Sequence, residues 1–535
     1  MRRRAGKRHN LLASVMSVIA VASIGLGSSA ASSSTTRIVR GGTLTVALVG
    51  ASYPGLDPYG PANVPNIPFY YAVFDPLFFP NLNTGGVIPA LALSYKTSNA
   101  GKTITLQLRR GVRFQDGTPF DADAVVFNIR RGADPNVVSE CVQYLRTLQS
   151  VKALGRYTVQ INFTRPDPSY LSLISTAQCG LMVSPTAVAS EGESFGLHPV
   201  GTGPFTMTSF VNGTSYDFTE WNHYWQKGYP LVSHLNFLDF GTDSSAIACV
   251  ESGQCQLYVA STPTDDASVS GNTVWNTDKD DFLPATILFQ LGQPPFNNPI
   301  AREAVVTATN ENQLISGLEL TGSRSLTGPI GPGSWAYPGK SKTYPSFNLS
   351  KAKSLVAKIP GGLSFTLETP STPANIQLAE AVQAQMSEAG IKVTLDALAG
   401  TALISDLHTR QFQATMIPPN QPSPPVDPDN IIHRWFYEPT LPSASDSAVE
   451  ETANTESYYD PVMNADILRS ERVFNQTVRS AAYVAVNNQF GKDLPWDMLY
   501  GSPTHNIYDK AMLHGTTQGL PNNPTYYPWY SYWVG

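Results

Sequence analysis

The chain has 535 residues, of which 35 are Lys or Arg and 41 Asp or Glu, with 42% hydrophobic and 14% charged, against about 25% charged in an average soluble domain. Its 41 Gly and 42 Pro stay below the share that marks low-complexity disorder, and apolar residues run the whole length, so it folds, into about three units. A formal charge of −6 excludes nucleic acid as the obvious partner.

Arg2, Arg3, Arg4, Lys7 and Arg8 precede an uncharged run over 11–27, closed by Ser28-Ser29-Ala30-Ala31. That order of basic, apolar and small residues is an export signal, expected to be cleaved after residue 31. A retained anchor is the alternative, because the run reaches the lower limit for a spanning helix, but Ser14, Ser17, Ser23, Gly25 and Gly27 dilute it. Cleavage leaves 30 basic against 41 acidic residues, a formal −11, hence an acidic extracytoplasmic protein. Arg3-Arg4 lacks the apolar residues usual after a twin-arginine pair, which leaves the export route open.

After a linker over 32–40, Gly41-Gly42 releases a strand over 43–48 in which Leu44, Val46 and Leu48 alternate. Residues 103–108 and 158–163 alternate likewise. Between them Ala122, Val125, Val126 and Ile129 recur at helical spacing behind Asp121 as N-cap. A second helix carries Val138, Cys141, Val142 and Leu145. Later, a strand over 363–368, a helix over 374–389 stopped by Gly390, and a strand over 391–395 form a βαβ unit with parallel strands, so the chain is α/β. Six prolines in the eleven residues 418–428 make a loop. No repeat of 20 to 50 residues is present, which excludes solenoids and propellers.

Cys141, Cys179, Cys249 and Cys255 are the four cysteines, an even count that predicts two disulfides in an oxidising compartment. Ser252-Gly253 can turn the short loop between Cys249 and Cys255, which favours that pairing and leaves Cys141 with Cys179. No CxxC occurs and no His lies nearby in sequence, so no metal site is expected. His198, His223, His234, His408, His433, His505 and His514 are scattered, with no two a helical turn apart.

Gly192-Glu193-Ser194-Phe195-Gly196 matches a nucleophile elbow, and a secreted serine hydrolase using Ser194 is the rival class. The elbow needs a strand before the serine and a helix after it, whereas 185–191 reads as a helix and 198–201 as a loop, so Ser194 is expected in a turn and no catalytic residue is assigned. Gly201 and Gly203 offer a phosphate loop or a tight turn, and lacking the third Gly and the Lys, the turn is expected. Asp427 and Asp429 flank Pro428 as an acid/base pair would, or as loop caps. The aromatic run over 526–533 is read mainly as core.

Several of these segments, with others, fall in one order: Gly41 to Leu48, Leu56-Asp57-Pro58, Asp75-Pro76-Leu77-Phe78, Leu91 to Tyr95, Leu108 to Val125, Val200 to Phe205, Pro295-Phe296, Arg302-Glu303-Ala304, Leu349 to Leu355 and Gln383 to Val393. Together they resemble the extracytoplasmic solute-binding proteins of the peptide, nickel and opine importer class, family 5. The resemblance implies a two-lobed periplasmic-binding-protein type II fold: lobe I at 41–290 with a subdomain inserted at about 76–185, lobe II at 291–499, and a return to lobe I over 500–535. Hinge crossings would lie near Gln290 and Pro495.

The resemblance further implies a monomer without a cofactor that delivers a solute to the permease subunits of an ABC importer; a sensor presenting its liganded form to a receptor uses the same fold. The signal segment has no Cys, so lipid anchoring there is not expected. The cleft would be lined by Tyr53, Pro54, Gln290, Gln421, Ser423, Pro424, Asp427 and Trp435. Family members that bind peptides place a Trp and an amine-pairing Asp where this chain has Gln421 and Pro424, so a peptide would be held through its main chain by uncharged groups. An oligosaccharide stacked on Trp435 is the alternative ligand.

Overall fold

The alternation of Leu44, Val46 and Leu48 produces the strand Thr43–Val49, with all three side chains buried. The computed structural model describes residues 38–50, 55–60, 67–81, 84–137, 141–175, 180–259, 273–277, 284–320, 322–418, 427–440, 454–502, 505–509, 511–514, 529 and 532–535. The chain divides into two units, Met1–Ile38 and Val39–Gly535; the signal segment lies outside the described residues, and the lobes and sheets all belong to the second unit. No helix among the described residues is long and apolar enough to cross a membrane.

Thr43–Val49 is the middle strand of a seven-stranded sheet and runs parallel to both neighbours, His234–Phe240 and Leu257–Val259. Outside Leu257–Val259 lie His505–Asp509 and then Thr273–Thr277, and on the other flank Ser215–Glu220 and Phe205–Val211. Its core is aromatic: Phe69 packs 4.5 Å from Tyr216 and 4.8 Å from Phe237. Trp529, buried and donating from Nε1 to Pro68 O at 2.8 Å, belongs to that core.

A four-stranded antiparallel sheet follows, in the order Ala92–Ser98, Thr103–Leu108, Thr158–Phe163, Leu148–Gly155. The helix Ala122–Gly132 covers it with Ala122, Val125 and Ile129. Asp121 has the extended backbone of an N-cap but makes no capping bond with its side chain, which faces Arg156 at 3.8 Å. The second predicted helix is described only over Cys141–Tyr144.

The βαβ unit forms the edge of a five-stranded sheet: Ser364–Pro370 pairs in parallel with Lys392–Leu398, joined by the helix Pro373–Glu388. Thr372 caps that helix, and Gly390 ends the turn after it at φ +83°, a backbone that suits glycine. Ala414–Ile417, Ala285–Phe289 and Trp496–Tyr500 complete the sheet. The strands flanking the expected crossings at Gln290 and Pro495 therefore both lie in this sheet. Burial explains it: Ala285, Ile287, Leu288, Phe289, Trp496, Met498 and Leu499 all belong to its core. The chain enters this lobe before Ala285 and has left it when His505 joins the first sheet.

Gly201 and Gly203 sit where the subdomain returns to the first sheet. A Cβ at Gly203 would lie 2.4 Å from Val73 C, and one at Gly201 2.2 Å from Val73 O. Their amides are already used: Gly203 N donates to Val73 O at 2.8 Å and Gly201 N to Gln115 Oε1 at 3.2 Å. This is a clamp between backbones, which a phosphate loop cannot be while its N–H groups are engaged. Gly203→Ala is expected to destabilise the protein by about 3 kcal/mol, since the clash is with main chain that cannot yield; urea unfolding checks it, and a loss under about 0.5 kcal/mol would contradict the clamp.

Cys249 and Cys255 form the expected disulfide. Cys141 is buried and disulfide-bonded; Cys179, its expected partner, lies outside the described residues.

Candidate functional site

The subdomain and the second lobe meet along a seam rich in charge. Pro428 can stand at a helix start because its missing N–H is not needed there, and the helix Asp429–Phe436 begins after it. Asp429 and His433, one turn apart, thereby share a face. Asp427 accepts from Asp429 N at 3.1 Å, the capping role open to it from the sequence. Glu471 follows the helix Pro461–Ser470 and brings its carboxylate to the same place.

Arg479 and Tyr483 lie one turn apart on the helix Gln476–Asp493, which Asn475 caps. Arg479 grips Asp427 through two bonds of 2.6 Å, donates from Nε to Ser470 O at 3.0 Å, and reaches Ser169 Oγ in the subdomain at 3.2 Å. Tyr483 adds a hydroxyl to Asp427 at 3.2 Å. A planar fork on a carboxylate is the geometry for which Arg is suited and Lys is not.

From the subdomain, Arg146 donates to Asp429 Oδ2 at 2.8 Å and to Glu471 Oε1 at 3.3 Å, while Arg165 meets Glu471 Oε2 at 2.5 Å. His433 Nδ1 closes on Glu471 Oε1. Burial, then the charge of Glu471, pushes the Asp429 carboxyl up. Burial drives Glu471 the same way, but the His433 hydrogen bond and the charges of His433 and Arg146 outweigh it and hold that carboxyl well below the usual range.

Asp429, His433 and Glu471 bring three atoms of metal-ligand type within 4.8 Å of one another. Two guanidinium groups already occupy three of the four carboxylate oxygens, Asp429 Oδ1 being the fourth, so the trio is built as an ion-pair centre. A scan for paired histidines misses it, although Asp429 at four residues before His433 was a visible signal. Arg146, Arg165, Glu471 and Arg479 are likewise unforeseen.

Of the residues expected to line the cleft, Tyr53, Pro54, Gln421, Ser423 and Pro424 lie outside the described residues. Gln290 is buried at the end of its strand, donating to Thr455 O at 2.9 Å and accepting from Gly292 N at 3.0 Å, so its carboxamide ties two chain segments together. Asp427 is committed to Arg479. Trp435 is half-buried and stands edge-on to Trp496, ring centroids 5.4 Å apart. Ser194 is exposed in a short 3-10 helix, Gly192–Leu197, rather than the expected turn, and the helix Pro185–Glu191 directly precedes it, so the strand-to-helix setting that a nucleophile elbow requires is not there.

Residues 86–441 match the family described as bacterial extracellular solute-binding proteins, family 5. The chain is 28% identical over 359 residues to the glutathione-binding protein GsiB of Shigella flexneri, spanning 66% of this chain and 69% of that one. It is 24% identical over 459 residues to GsiB of Pectobacterium atrosepticum, spanning 85% and 88%. Among solved structures, the periplasmic binding protein DppA of Helicobacter pylori in complex with peptide STSA superposes with TM-score 0.79 at 20% identity, covering 93% of this chain and 98% of that one. The oligopeptide-binding protein AppA of Bacillus subtilis, in complex with a nonapeptide, does so with TM-score 0.77 at 19% identity, covering 93% and 100%.

Proposed function

Since the chain belongs to the bacterial extracellular solute-binding proteins of family 5 and has the two-lobed α/β fold of type II periplasmic binding proteins, with a subdomain inserted in lobe I, we propose that it captures an oligopeptide or peptide-like solute outside the membrane. It then delivers that solute to the permease of an ABC importer. Lobe I is the seven-stranded sheet with its four-stranded insert, and lobe II the five-stranded sheet. Closure between them buries the solute and presents a form the permease recognises.

The observation that carries the peptide reading is how the described carboxylates of the seam are used. Asp427 is neutralised by Arg479, and Asp429 and Glu471 by Arg146 and Arg165. None of these three carboxylates is therefore left to pair with a peptide ammonium, and recognition falls to main-chain hydrogen bonds and water-filled side-chain pockets. An oligosaccharide needs an open aromatic face, and Trp435 is half-turned into the lobe II core against Trp496.

Native mass spectrometry of the purified protein is expected to reveal a bound peptide, and a glycan mass instead would refute the reading. For the peptide identified, calorimetry is expected to show that acetylating its N-terminus weakens binding by less than tenfold, under about 1.4 kcal/mol. A hundredfold loss would mean that one carboxylate anchors the amine. Ser194→Ala is expected to leave binding unchanged and to abolish no esterase or peptidase activity. Deleting the permease and following uptake separates transport from sensing.

A further inference from the structure

We propose that Arg146 and Arg165 are a latch that biases the two lobes toward closure, through groups that do not touch the solute. Both arginines stand on the lobe I insert and both carboxyl groups they meet stand on lobe II. Asp429 and Glu471 are 1% and 2% exposed, whereas the guanidinium side chains are 21% and 28% exposed. The carboxylates are thus covered where the insert meets lobe II, and the arginines reach over them from the other side. Every group in this contact belongs to the protein, so it favours the closed form with or without solute.

The rest of the seam is shaped for the same docking. Gln476 Nε2 donates to Thr84 O at 2.6 Å, and Arg479 to Ser169 Oγ at 3.2 Å. The rings of Trp335 and Phe474, from lobe II, seat on Gly85 and Gly101 of the insert, where a Cβ would come within 2.0 and 2.3 Å of them. Closure therefore brings together two ion-pairing arginines, two hydrogen bonds and two rings on bare glycine backbone. Asp167, also on the insert, accepts from Thr147; its charge repels that of Asp429 across the seam, but its attraction to Arg146 is the larger, and His433 is turned to Glu471.

Because an open form returns Asp429 and Glu471 to water, removing the arginines penalises the closed form alone: it leaves Asp429 buried without its cation and Glu471 with His433 as its remaining partner. Apparent solute affinity scales with the fraction of protein in the competent form, so such a change weakens binding without altering the solute's own contacts.

Small-angle scattering of the full mature protein, dialysed and without added solute, tests this independently of any ligand assignment. The double variant Arg146→Gln/Arg165→Gln is expected to show a larger radius of gyration, with the closed-to-open ratio lowered at least tenfold, while Arg146→Lys, which keeps the charge, stays near the parent. A double variant that scatters as the parent does overturns the latch. Should the double variant melt as a misfolded chain, Arg165→Gln alone, which loses a single contact at a part-exposed site, carries the same test: a shift toward the open form supports the latch and an unchanged profile overturns it.

Discussion

Replacing Arg479 with alanine is expected to lower the unfolding free energy by about 3 to 5 kcal/mol, the range for stripping one partner from a buried ion pair. Its side chain is 6% exposed and that of Asp427 is 1% exposed. The variant would leave Asp427 with the Tyr483 hydroxyl and the Asp429 amide as its bonds in a buried place. The start of the helix Asp429–Phe436 would loosen with it, and so would the seam. Arg479→Lys is expected to recover less than half of the loss, because an ammonium cannot reproduce the two parallel bonds. Removing both charges together, as Asp427→Leu/Arg479→Met, should recover most of it. Urea unfolding decides: a loss below about 1 kcal/mol for Arg479→Ala would place the pair with exposed salt bridges.

The second large effect is a fall in stability as pH rises from about 5 to 9. Burial pushes the carboxyls of Asp75 and Asp497 up to about 7 and that of Glu456 up to about 8, against hydrogen bonds that pull each of them back. Glu456 accepts from Trp496 Nε1 at 2.8 Å, Asp75 from Trp225 Nε1 at 2.7 Å, and Asp497 from Thr309 Oγ1 at 2.6 Å. A raised pKa means the fold holds the proton more tightly than the unfolded chain does. The stabilisation is thus complete below about pH 4 and is lost as pH climbs through 7 to 8, by roughly 5 kcal/mol for Glu456 as an upper figure. Glu471, held low, works in the opposite sense and only in acid, losing its contribution as pH falls below about 4. Thermal melting should therefore peak on the acid side of neutrality. Glu456→Gln, neutral at every pH, should flatten the slope between pH 6 and 8, and an unchanged slope would show that Glu456 does not titrate there.

What the sequence made legible was whatever repeats at short range. Period-two alternation placed the strands Thr103–Leu108 and Thr158–Phe163 to the residue, and the Cys249 to Cys255 loop declared its own closure through Gly253 at φ +74°. Lobe boundaries were harder, because Ala285–Phe289 is buried on both faces and so carries no alternation to say which sheet it joins. The seam was not legible at all. Arg146 meets partners 283 and 325 residues away, and in sequence it is one more arginine between Leu145 and Thr147. Asp427 drew attention through its place in a proline-rich loop, yet its role depends on Arg479, 52 residues later, which no local pattern marks.

The position of His505–Asp509 in the first sheet governs the order in which the protein can be assembled as it is synthesised N-terminus first. Among the described residues that strand alone joins Leu257–Val259 to Thr273–Thr277, so lobe I, although it starts before lobe II in the chain, stays unfinished until His505–Asp509 has been made. Lobe II, whose sheet is drawn from one uninterrupted stretch between Ala285 and Tyr500, can complete itself first. Through that interval the open side of Leu257–Val259 is an unsatisfied β-edge, the kind of surface that pairs with whatever strand it meets. The part of the molecule made first is thus the part finished last, and it is there that a holding factor would act.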